Sequence, residues 1–156
     1  MAWDDPNLHQ IASEFFRTFS RMEYALKAAG FLVRNQRKAE ADWGRFALEV
    51  EAALASSEPA EIQGAITFVL TEPPKKQVNV NNFIEWDTTP PDAANRAELL
   101  LRYVCRVRNN LFHGGKFNGH WFQPERSGEL LHASLIILDA CRKACPAVDR
   151  AYHSES

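Results

Sequence analysis

The chain has 156 residues, 46% of them hydrophobic and 24% charged, with a formal net charge of −2. That length suits one domain with a core of its own, and a charge so near zero excludes a global field for nucleic acid, leaving only a local basic patch to hold a polyanion. The three cysteines, Cys105, Cys141 and Cys145, form no disulfide framework and fit a reducing compartment.

No second His/Cys pair has metal-ligand spacing, and no apolar run reaches the roughly 18 residues of a membrane span. The expectation is a single cytoplasmic domain over residues 1–156, frayed over 152–156, with no metal, no cofactor and no membrane partner.

From Asn7 to about Gly30, Ile11, Phe15, Phe19, Met22 and Leu26 draw one apolar stripe, which predicts a helix stopped by the glycine. Trp43, Phe46, Ala47, Val50 and Leu54 predict a second helix. A third, shorter one starts near Pro59, a residue tolerated in a first turn, and carries Ile62, Ile66, Val69 and Leu70. The stretch from Glu72 to Pro91 breaks the pattern. Two Pro-Pro pairs bracket Val78 and Val80 alternating with asparagines, which reads as a long excursion with room for a short strand, pinned to the body by Phe83 and Trp86.

The fourth helix is expected from Asp92, as N-cap, to Gly114-Gly115, with Leu100, Tyr103, Val104, Val107 and Leu111 as its core stripe. A glycine- and aromatic-rich loop over 114–128 leads to a fifth helix, whose face of Leu130, Leu131, Leu135, Ile137 and Leu138 ends at Pro146. The whole is an all-α, up-and-down bundle of four long helices plus a shorter one.

On a wheel at about 100° per residue, Arg102, Arg106, Asn109 and His113 share a stripe roughly 60° wide on the fourth helix, away from its core face. Arg108 stands about 100° aside. Two readings stay open: a solvated face with a histidine meeting the helix dipole, or a phosphodiester site in which arginines hold charge beside an acid/base imidazole. Lys116, Phe117, His120, Trp121 and Phe122 follow in the next loop. They would either draw RNA bases or cap the core. Glu23, between Met22 and Leu26, is expected to be a half-buried carboxylate paired with an arginine of the fourth helix.

The run Arg108-Asn109-Asn110-Leu111-Phe112-His113 resembles the R-N-x-x-x-H signature of the HEPN superfamily. The first helix, with Glu23 among aromatics, is similar to the opening helix of several HEPN groups. The resemblance implies a HEPN-like bundle that forms a homodimer through its motif helices. For catalytic members it implies metal-independent endoribonuclease activity of toxin or defence type, restrained by an antitoxin or another defence partner.

Carried over by residue, Arg108 would polarise the scissile phosphate of an RNA substrate, Asn109 would orient it or the imidazole, and His113 would be the acid/base. Arg102, Arg106 and Lys116 would add substrate binding, and Glu23 would support the cleft. Where some HEPN toxins place a modifiable tyrosine soon after the histidine, this chain has Gly114-Gly115-Lys116-Phe117. Two competing expectations are a non-catalytic RNA- or nucleotide-binding module on the same fold, and a plain helical interaction protein.

Overall fold

The structure is a computed structural model, and it describes residues 6–56, 59–112, 116–117, 120–121 and 124–154, with side chains between 116 and 125 outside the description. Helix α1 spans Pro6–Ala28 and buries Leu8, Phe15, Phe19, Met22, Ala25 and Leu26 on the face its periodicity requires. It ends on Gly30, whose φ of +94° places it in the left-handed region that favours glycine. Gly30 N–H donates to Lys27 O at 3.1 Å and Phe31 N–H to Leu26 O at 2.9 Å, the paired closure of a Schellman cap.

Helix α2, Trp43–Ala55, opens on Asp42, whose side chain accepts from Arg45 N. Arg45 also reaches back to Gly30 O at 2.8 Å and Leu32 O at 3.1 Å, tying the turn after α1 to the start of α2. Helix α3 spans Ala60–Thr71.

The excursion that follows is a β-hairpin. Strand β1, Lys76–Val80, pairs antiparallel with β2, Phe83–Asp87, in a register that sets Val80 opposite Phe83. Asn81 and Asn82 form the two-residue turn with φ of +51° and +69°, the doubly left-handed geometry that matches strand twist and that asparagine tolerates. Phe83 does not pin the hairpin to the body: it is 73% exposed at the tip, beside Ile84 at 66%. Trp86, nearer the base, is half-buried.

Helix α4, Arg96–Phe112, begins four residues later than the Asp92 cap expected from the sequence. Asn95 is the better cap because its Oδ1 accepts from Glu98 N at 2.8 Å, while Glu98 Oε2 accepts from Ala94 N at 3.2 Å. This reciprocal arrangement satisfies one free donor of the first turn and the N–H of the residue just before the cap.

Two-residue strands β3, Lys116–Phe117, and β4, His120–Trp121, pair in the following segment. Helix α5, Pro124–Ala144, starts inside what the sequence read as loop. Helix α6, Pro146–His153, continues where a stop was expected. Pro146 sits at the first helical position, where its missing N–H costs nothing, and the helix carries the chain through Tyr152 and His153, into the segment expected to fray.

The fold among the described residues is thus six helices with two small hairpins, predominantly helical as expected. Helix α5 is the hub: α1, α3, α2 and α6 all pack on it, and α2 also pairs with α4. Phe15, Phe46, Met22, Leu26, Ile66, Leu100, Leu131 and Ile137 are fully buried between these layers. Helices adjacent in sequence are therefore not the principal packing partners, because α5 offers apolar residues on several sides. Among the described residues no helix is long and apolar enough to cross a membrane.

Candidate functional site

The exposed side of α4 is bounded by two different neighbours. On one flank lies α1, and on the other the segment that carries the hairpin. Residues of the motif divide between them.

Arg108 lies on the α1 flank, half-buried. Its guanidinium carbon is 6.0 Å from the ring centre of Phe19 and 5.0 Å from that of Phe112, within the range of cation–π attraction. Its Nη1 donates to Asn109 Oδ1 at 3.0 Å. The roughly 100° between these two positions on the wheel is spanned by the length of the arginine, so Arg108 does join the polar face. No carboxylate pairs with it among the described residues.

Asn109 is exposed and Phe112 is 62% exposed at the same end of the helix. His113 lies outside the described residues. Lys116 and the neighbouring Phe117, His120 and Trp121 are described in backbone alone, as parts of β3 and β4, and Phe122 falls outside the description.

Arg102 pairs with Glu98 one turn earlier, Nη2 to Oε1 at 3.6 Å. Arg106 faces the other flank: its Nη1 donates to Thr89 O at 3.0 Å and to Pro74 O at 3.4 Å, so it closes the base of the hairpin segment from both ends. Asn110 adds a bond from Nδ2 to Lys75 O at 2.8 Å, and Arg126 of α5 holds Glu72 and Pro73. Sequence reasoning did not find Asn110 and Arg126. Asn110 bonds a main-chain carbonyl, which leaves no residue-type signal, and Arg126 adds to two such carbonyls an ion pair with Glu72 at 3.4 Å, a partner 54 positions away in sequence.

Glu23 is half-buried as expected, but it forms no ion pair among the described residues. Its charge acts instead on Cys105 of α4, together with those of Arg102 and Arg108. Burial pushes the Cys105 thiol up to about 12, against the pull of the two arginines and with the push of Glu23. Cys105 was absent from the sequence-derived site because its position on the wheel lies between the core and polar faces.

Among the described residues, no three His, Cys, Asp or Glu side chains converge as metal ligands. No family model matches the chain, and neither curated proteins nor solved structures give a significant match.

Proposed function

We propose that the chain is the protomer of a HEPN-like homodimer that cleaves RNA without a metal ion, its site completed where two α4 helices meet. The observation that carries this reading is the setting of Arg108. Its charge is held by two aromatic rings and one amide oxygen, with no carboxylate to neutralise it among the described residues, five positions before His113. An arginine fixed in this way is pre-organised for a phosphate.

In the proposed reaction the RNA 2′-oxygen bonds to the adjacent phosphorus and the bond to the 5′-oxygen breaks, leaving a cyclic phosphate and a free 5′-hydroxyl. His113 moves the proton to or from the reacting oxygens, and Arg108 holds the charge that builds on the non-bridging oxygens. Asn109 keeps the arginine in place. The exposed ring of Phe112, next to these polar groups, suits a face that a second copy covers, and a two-fold axis there brings Arg108 of one protomer toward His113 of the other. A protein that restrains the enzyme would act most directly by covering the same face.

The engagement of Arg102 by Glu98 and of Arg106 by carbonyls favours the second reading, a non-catalytic module, since fewer cations remain for a substrate. Incubation of the purified chain with single-stranded RNA in a chelator separates the two. Cleavage that His113→Ala and Arg108→Ala abolish, with folding retained, supports the enzyme. Unchanged cleavage in a folded His113→Ala protein, or bound RNA that stays intact, overturns it. Mixing the two inactive variants restores activity if the site is shared between protomers.

A further inference from the structure

Away from the motif, α1 and α6 border a second concave surface. An open groove of about 630 Å³ runs between them, lined by Phe16, Arg17, Ser20, Arg21, Tyr24 and Tyr152 together with smaller neighbours. Among the described lining residues there are two cations and no carboxylate, in a chain whose net charge is −2.

The two arginines differ in how they are held. Arg17 is exposed and forms no ion pair among the described residues. Arg21 is fixed: its Nε donates to Tyr152 O, and its guanidinium carbon is 5.4 Å from the Tyr152 ring centre. Arg142 packs on the same ring at 4.8 Å. Because Arg21 uses Nε for this anchor, its two terminal nitrogens are without a partner among the described residues.

Aromatic rings stand beside the cations. Phe16 is 47% exposed and Tyr24 57%, and with Ser20 between them they follow a spacing of one helical turn. Arg17 and Arg21 form the adjacent row. Exposed rings next to a row of arginines are the arrangement that binds a single strand, with stacking for the bases and charge for the backbone. An enclosed pocket would suit a lone nucleotide; an open trough lets a strand continue past its ends.

We propose that this groove binds single-stranded RNA, with phosphates on Arg17 and Arg21 and bases against Phe16 and Tyr24. The choice of RNA over DNA rests on the proposed function; the groove itself does not. Phe16 also lies only about 20° around α1 from Glu23, whose charge reaches Cys105 on α4. A strand in the groove can therefore pass along the surface of α1 toward the motif.

The test uses the full chain and a fluorescent single-stranded RNA with 2′-O-methyl groups, which blocks cleavage and isolates binding. Arg17→Ala and Tyr24→Ala, both at exposed positions, are each expected to weaken binding about five- to tenfold with melting unchanged. Arg17→Ala is also expected to lower the slope of log affinity against log salt by about 0.7, and Arg17→Lys to restore it. Wild-type affinity in both alanine variants overturns the proposal. So does displacement of the RNA by inorganic phosphate or an acidic peptide at the concentration at which unlabelled RNA displaces it. If His113→Ala abolishes cleavage while Arg17→Ala and Tyr24→Ala bind normally, the groove assignment fails alone. If no RNA is ever cleaved yet binding depends on Arg17 and Tyr24, the catalytic reading fails and the groove stands.

Discussion

Arg108 Nη1 donates to Asn109 Oδ1 at 3.0 Å, joining two consecutive residues that the helix sends in different directions. This bond turns a flank arginine into part of the exposed face of α4. On the proposed reading, removing the amide in Asn109→Ala frees Arg108 and lowers the RNA cleavage rate about tenfold or more. Melting should not change, because Asn109 is exposed. Asn109→Asp should lower the rate further by neutralising the guanidinium. Steady-state kinetics checks both, and full activity in Asn109→Ala would remove the tether from the mechanism.

Arg106 acts through the main chain. It donates to carbonyls at either end of the hairpin segment, Pro74 and Thr89. Arg106→Ala is expected to cost about 1–2 kcal/mol in denaturant melts and to speed amide exchange over 74–91, while exchange in α1 stays unchanged. Unaltered exchange in the hairpin would show that the carbonyls are satisfied without it.

Cys105 is half-buried yet a poor nucleophile, since burial pushes its thiol up to about 12. Site-resolved alkylation at neutral pH should be much slower than for free cysteine. Glu23→Gln removes one of the upward pushes and should accelerate it; an unchanged rate would place Glu23 too far away to matter. Because the folded group holds its proton more tightly than the unfolded one, its contribution to stability is intact below about 9, the ordinary thiol value, and is lost as pH rises from there toward 12.

Asp139 titrates in the opposite sense. Burial raises its pKa, but hydrogen bonds and charge from Lys143 and Arg142 outweigh that and hold its carboxyl below the ordinary 3.8. A depressed folded value gives stability that is fully present above the unfolded value, about 3.9, and is lost as pH falls through the folded one. Wild type should lose its advantage over Asp139→Asn as melts are taken from neutral pH to below 3.9. A constant difference between the two proteins across that range would exclude the ion pair as its source.

Helical periodicity made most of the core legible. Phe15, Phe19, Met22 and Leu26, then Trp43, Phe46 and Val50, then Leu100, Tyr103, Val104 and Val107 are all buried as their spacing requires, because solvent exclusion from one face of a helix is written in residue types. The start of α6 was not, since proline ends one helix and begins another with equal ease. The hairpin was missed in part because Asn81-Asn82 signals its turn through left-handed φ values, which glycine would have announced more plainly.

The wheel placed Arg102, Arg106 and Asn109 on one face of α4 but could not see their neighbours. A single helix read alone says where a side chain leaves the axis. It does not say that Glu98, Thr89 O or the Arg108 guanidinium waits at the other end.

Arg21 and Tyr152 touch across 131 positions of sequence, and α1 lies against both α5 and α6. On a ribosome the earliest helix of the described chain therefore emerges long before the surfaces that cover it. Until residues 124–153 follow, the aromatic face of Phe15 and Phe19 has no complete home, and a factor that shields nascent apolar segments has its longest opportunity on α1.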